Sequence, residues 1–273
     1  MKPSKALSNI GNCRLCLASD IELRDSHYLP KAIYRQLRDP QAYNPNPYAI
    51  SEQGSAQTAR QLRAHLLCAD CEERFSKHGE NWVLENSRRA DGTFKLASIL
   101  AQHQPAVFAD GNATKVYHAA GISEVDRVSL AYFAASIFWR GSIHGWNADR
   151  TIPVPLGPYS EQFRKFLLGE ANFPEHVVLL LTVREASDTS MLTATPVGDR
   201  RDGHSVYKFP MPGLAFAIAV GKGMPAEFRK FCFVRGIGNP LSVTPLLEEI
   251  VQRDPIAYLQ RHFAQRAAQG LRE

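Results

Sequence analysis

The sequence predicts an α+β protein in two parts. Residues 1–95 form a metal-stapled segment, and residues 96–273 form a region of helices, an antiparallel sheet and C-terminal helices. Three observations carry this reading. Two C-x-x-C pairs, Cys13/Cys16 and Cys68/Cys71, fall in the first part. From Val125 the apolar positions Val128, Ala131, Tyr132, Ala135 and Trp139 recur at helical spacing. Beyond residue 176, short apolar runs alternate with Gly, Pro and charged turns, which is the pattern of strands.

Composition sets the frame. The chain has 273 residues, 44% hydrophobic and 22% charged, enough to bury a sizeable core and too apolar for a disordered chain. Met1–Ile10 has no apolar stretch of the kind a secretory leader needs. The longest strongly apolar run, Val177–Val183, is far too short to span a bilayer. A cytoplasmic location away from membranes is therefore expected. The formal net charge is +5, of which residues 1–95 contribute 14 Lys and Arg against 11 Asp and Glu. Four thiolates around one zinc ion would bring that segment to about +1. Any grip on phosphate must then come from local clusters.

Along the chain, the stretch between the cysteine pairs holds Pro40, Pro45, Pro47 and Gly54 among Asn, Gln and Ser, and reads as a long loop with a short helix near Lys31–Leu37. Glu72–Ser76, after the last paired cysteine, reads as helix. Ser123 followed by Asp126 is an N-terminal capping signature, and Gly141 suits the stop of the helix that follows. Tyr159–Leu168 reads as a second helix with Phe163, Phe166 and Leu167 on one face and Gly169 at its end. Strands are expected at Val177–Val183, Met191–Pro196, Ser205–Phe209, Leu214–Val220 and Phe231–Val234, arranged as an antiparallel meander. Thr244-Pro245 and Asp254-Pro255 each place a cap before a proline, opening two final helices.

Paired C-x-x-C knuckles in a reducing compartment read as metal ligands before disulfides. Each turn presents two sulfurs, and two turns complete a tetrahedral zinc site of Cys13, Cys16, Cys68 and Cys71. The second pair opens a helix, where free backbone amides favour the thiolate. Cys232 stands apart, in an aromatic run, and reads as a buried core thiol.

Between the pairs lies Leu23-Arg24-Asp25-Ser26-His27-Tyr28-Leu29-Pro30-Lys31, and Leu66-Leu67 leads into the second pair, which Glu72 follows directly. Over roughly residues 10–85 this pattern resembles the HNH endonucleases in their zinc-stapled form, a treble-clef version of the ββα-metal fold. The resemblance implies a structural zinc, His27 as general base and Glu72 as ligand of a catalytic divalent metal, Mg²⁺ or Mn²⁺. Asp25, two residues before His27, shares its face of a regular strand and is suited to bind that metal or to orient the imidazole. Lys31, Arg74 and Lys77 are candidates for contacts to nucleic acid, with DNA the first expectation. The chain departs from the family in two places. Ser26 stands where an acid or histidine commonly precedes the base, and Arg63 and His65 stand where the family's middle asparagine is usual. His78 and Glu80 are reserve candidates. Each residue also has a plain reading: His27 hydrogen-bonded within a hairpin, Glu72 solvated on a helix, His65 structural.

The aromatic stretch Phe138–Trp146, with Arg140 between two tryptophans, reads first as a packed helix end and second as a surface for bases or a partner. The second part contains no phosphate-binding loop and no nucleophile elbow. Recognition of a target, a protein partner or a second copy of the chain is its expected role. The competing reading of the whole is a treble-clef zinc module that binds nucleic acid or protein without catalysis.

Overall fold

The protein is described by a computed structural model covering residues 9–38, 43–51, 54–109, 114–146, 152–188, 191–201, 203–224 and 226–244. β1 (Ile10–Gly11) and β2 (Ile21–Glu22) pair antiparallel on either side of the first cysteine turn. β3 (Arg24–His27) follows, then α1 (Lys31–Gln36), β4 (Tyr48–Ser51), β5 (Gly54–Gln57) and β6 (Arg63–Leu67). β6 returns to pair antiparallel with β3, and α2 (Ala69–Phe75) leaves it at once. The result is a strand–strand–helix unit with α1 and the β4–β5 hairpin inserted between its strands. The stretch expected as an open loop thus pairs with itself over Tyr48–Ser51 and Gly54–Gln57, which satisfies backbone groups that a loop would leave to water.

α2 continues through a π-helical turn (Ser76–Glu80) into α3 (Asn81–Asn86), with helical backbone angles at both junctions. Then come α4 (Lys95–Ala101), β7 (Val107–Ala109), β8 (Thr114–His118), α5 (Arg127–Ile143) and α6 (Tyr159–Leu168). Gly169 closes α6 in the left-handed conformation (φ +79°), as its position predicts. β9 (Val177–Arg184), β10 (Val197–Arg201), β11 (His204–Met211), β12 (Leu214–Val220), α7 (Ala226–Lys230) and β13 (Pro240–Thr244) complete the described chain.

The sheet has seven strands in the order β10-β11-β12-β9-β13-β8-β7. It departs from the expected meander in three ways. β13 lies between β9 and β8, parallel to the first and antiparallel to the second, so one crossover interrupts the antiparallel order. Met191–Pro196 carries no strand; pairing begins at Val197, one residue past the proline, which has no N–H to give to a ladder. Phe231–Val234 is a turn, not a strand, although Cys232 is buried as expected. Its chain is held by local bonds such as Gly236 N–H to the Cys232 carbonyl. The helices expected after Thr244 lie outside the described residues.

α5 is buried on every side from Ser129 to Gly141, which makes it a core helix rather than an amphipathic surface one. Its N-terminal cap is Asp126 itself: one carboxylate oxygen accepts the Ser129 N–H at 2.9 Å and the other accepts the Ser129 hydroxyl at 2.7 Å. The helix runs past Gly141 to Ile143. That glycine does not stop the helix; it permits close approach, since a Cβ there would stand 2.5 Å from Tyr28 Oη and 2.7 Å from Val154. Gly79 in the π-turn does the same from the other side, where a Cβ would meet the Phe133 backbone nitrogen at 2.9 Å. Phe133 packs on Phe209 and Phe216 of the sheet, and Trp139 packs edge-on to Phe75 of α2. Side chains of the segment that carries the paired cysteines, α5 and the sheet belong to one apolar cluster.

A charged contact crosses this core at Arg140. Arg140 donates to Glu80 at 2.7 Å and to the Tyr28 carbonyl at 3.3 Å, and its guanidinium lies 4.5 Å from the centre of the Phe75 ring. Trp146 Nε1 donates to the Arg140 carbonyl at 2.8 Å, and its ring stacks on Tyr28 at 4.7 Å. Phe138, Trp139, Arg140 and Trp146 are all buried, so this aromatic stretch is a packed anchor. The Arg140 side chain is only 3% exposed, so loss of its carboxylate strands a charge in the core. Glu80→Ala is expected to cost about 3–5 kcal/mol in denaturant unfolding. Glu80→Gln, which keeps an acceptor, should cost clearly less.

Candidate metal centre and adjacent cleft

The two cysteine turns converge. One ligand atom from each of Cys13, Cys16, Cys68 and Cys71 lies within 4.8 Å of all the others, and Cys16 Sγ is 3.8 Å from Cys68 Sγ. Zinc–sulfur bonds of about 2.3 Å place tetrahedral sulfurs about 3.8 Å apart, so the cluster has the dimensions of a Cys₄ zinc site. Local backbone builds it. Leu17 and Asp20 take left-handed angles (φ 63° and 54°) that curl the first turn, and Leu17 N–H donates to the Cys13 carbonyl at 3.0 Å. Arg14 N–H donates to the Leu66 carbonyl at 2.9 Å, docking the first turn on β6. Cys68 caps α2, and its own N–H donates to Cys13 Sγ at 3.4 Å. Arg164 of α6 reaches the Leu15 carbonyl at 2.8 Å and steadies the turn from outside.

The electrostatics suit a cation. The Cys13 thiol is lowered to about 4, chiefly by the hydrogen bond from Cys71, opposed by burial and helped by backbone amides. Cys71 is pushed strongly upward by its bond to Cys13 and then by burial, and burial raises Cys68. One thiolate therefore forms readily and suppresses the next; a divalent cation at the centre removes that suppression. Three of the four cysteines are buried, and Cys16 faces solvent. Among the described residues no other group of three or more His, Cys, Asp and Glu side chains comes close enough to share an ion.

Beside this centre, the β3–β6 pair carries a cleft of about 650 Å³. Asp25 and His27 of β3 both line it, whereas Ser26 is buried on the opposite face, as alternation requires. Across the ladder, Asp25 stands opposite His65 and His27 opposite Arg63. Asp25 is ion-paired to Arg63 at 2.6 Å, with both side chains about half exposed. His27 Nε2 is hydrogen-bonded to Gln61 Oε1 at 2.8 Å, an oxygen that can only accept, so Nε2 carries the donated hydrogen and Nδ1 is the other ring nitrogen. His65 Nε2 bonds the Asn9 side chain at 2.8 Å. Lys31, at the start of α1, and Arg60 add positive charge to the same walls.

The other candidates lie elsewhere. Glu72 does not line the cleft; its Oε1 is buried without a hydrogen-bond partner among the described residues. Lys77 is exposed and pairs with Glu73 at 2.7 Å. Arg74 and His78 line a separate cavity, and Glu80 holds Arg140. Arg60 and Gln61 were missed as cleft residues in the sequence. The signal for Gln61 was the two-residue spacing of Gln61, Arg63 and His65, which puts them on one face of an extended segment.

No family model matches this chain, and no curated protein and no solved structure matches it significantly.

The cluster predicts about one zinc ion per chain, measured by elemental analysis and by colorimetric release after thiol modification. Cys68→Ser should lose most of that zinc and lower the unfolding temperature, as should a strong chelator applied to the native protein.

Proposed function

We infer that the protein is a metal-dependent HNH-type endonuclease, hydrolysing phosphodiester bonds in the cleft of the zinc-stapled β3–β6 unit. The observation that carries this reading is one juxtaposition. An imidazole whose Nδ1 has no hydrogen-bond partner among the described residues (His27), a carboxylate two residues away (Asp25) and three cations (Lys31, Arg60 and Arg63) line a single open cleft. The strand–strand–helix order and the cysteine turns agree with the family that residues 10–85 resemble.

In this reading a phosphate enters between Lys31, Arg60 and Arg63. The Asp25–Arg63 pair is half exposed, so exchanging Arg63 from carboxylate to phosphate costs little. Asp25, thereby released, would be the carboxylate that holds a divalent ion there together with the substrate phosphate. The chemistry such an ion would supply is neutralisation of the charge that builds on the phosphate and the leaving oxygen. Gln61 holds the His27 ring through Nε2, and Nδ1 accepts the proton of the attacking water.

A second reading, a zinc module that binds nucleic acid without cutting it, is favoured by one observation. Glu72, the ligand implied by the resemblance, stands outside the cleft, and among the described residues only the four cysteines are gathered for a metal.

The deciding experiment incubates plasmid and single-stranded DNA and RNA with the protein and Mg²⁺ or Mn²⁺. Cleavage by the parent chain is expected to fall about 10²–10⁴-fold in His27→Ala while zinc content is unchanged. Cleavage that survives in that variant removes His27 from the mechanism. Retardation without cleavage by both proteins favours the binding module.

A further inference from the structure

A second cavity, of about 570 Å³, opens between α2 with its π-helical turn, α5, α6 and the segment 169–173. It shares no lining residue with the cleft that holds His27. Its volume is within the range that encloses small organic ligands. Most of its wall is apolar, and three rings meet there: Tyr132 and Phe166 at 6.2 Å between centres, and Phe166 and Phe173 edge-on at 5.4 Å. Val128, on the wall, is 74% exposed, an apolar side chain of α5 with no cover.

The charges in this cavity have one sign. Arg74, His78 and Arg235 line it, and among the described residues no carboxylate does. The two arginines differ in how they are used. Arg235 lies 5.6 Å from the Phe173 ring centre and donates to the carbonyls of Phe173, Pro174, Glu175 and Val177, so it serves as a structural clamp. Arg74 reaches the Leu168 carbonyl at a long 3.4 Å and lies beside the Tyr132 hydroxyl, which itself donates to the Leu167 carbonyl. Most of the five donors of the Arg74 guanidinium have no protein acceptor among the described residues. The wall also contains the π-helical turn, whose His78 ring sits 5.4 Å from Tyr132. Such turns are rare and concentrate at functional sites, because they turn a side chain that an α-helix would direct elsewhere.

We propose that this cavity binds a small planar aromatic anion, with its ring against Tyr132, Phe166 and Phe173 and its acid group on Arg74. A fork of N–H donors recognises phosphate and carboxylate alike, so a nucleoside monophosphate and an aromatic carboxylic acid are the two sources of this chemistry. The inference does not depend on the nuclease reading, since the two sites have no residue in common.

The test is calorimetric titration of the full zinc-loaded chain with adenosine monophosphate, 2-naphthoate and, as the uncharged control, adenosine. One of the two anions is expected to bind once per chain with Kd below about 1 mM. Arg74→Gln should weaken it at least about tenfold, and His27→Ala should leave it unchanged. Val128→Glu serves as a second variant at an exposed position: its carboxylate at the cavity should weaken the anion by a similar factor without touching the core. Preference for adenosine monophosphate assigns the phosphate source, and preference for naphthoate assigns the carboxylate source. The proposal is overturned if neither anion binds, if adenosine binds as well as its monophosphate and naphthoate does not bind, or if both variants bind like the parent chain. Loss of binding in His27→Ala would overturn it too, by assigning the ligand to the other site.

Discussion

The convergence of four sulfurs ties the first turn of the chain to the start of α2 across the long stretch 17–67. Without it, β1 and β2 pair over two residues each and β3 pairs with β6 over four positions, too little ladder to stand alone in water. With a cation at the centre, the first turn is fastened to β6 and α2 together, and the face bearing Asp25, His27, Arg63 and His65 acquires a rigid base. The inserted α1 and β4–β5 hairpin then stand on a closed loop. A closed loop loses far less conformational freedom on folding than a free one.

This stapled unit is not left to its own small core. Arg140 reaches from the central helix to the Tyr28 carbonyl, one residue after His27, and to Glu80 at the end of the π-turn. Tyr28 is in turn stacked on Trp146 and faces Gly141. The backbone next to the proposed general base is thus fixed by α5, which also presents Phe133 to the sheet. Displacement of α5 would be felt at the end of β3 through rigid contacts rather than through a flexible linker.

The parts of this structure legible in the sequence are those written in local spacing. The C-x-x-C turns, the helices at 127–143 and 159–168, and three of the expected strands depend on residues a few positions apart. The Asp25/His27 face followed from strand alternation alone. What escaped depends on distant neighbours. Gly141 looked like a helix stop because its actual reason, the approach of Tyr28 and Val154, belongs to other segments. Pro240–Thr244 is too short and mixed to announce itself as a strand; it becomes one because a slot between β8 and β9 accepts it. Arg60 and Gln61 join the cleft only because β6 folds back beside β3. The cavity at Arg74 needs four separated segments and has no linear signature at all.

The position of β13 has a consequence for the order of assembly. Strands β8 and β9 have no ladder with each other; both pair with a wedge that is translated after them. On the ribosome, β7–β8 and the β9–β12 block must wait as separate halves, each with an unzipped inner edge, until residues 240–244 emerge. The four cysteines, all synthesised by residue 71, can be gathered without that delay. Nascent chains stalled after β12 and before residue 240 would hold the gathered cysteine turns, already packed on α5, attached to a divided sheet. That sticky, half-closed species is the one a chaperone would have to shield.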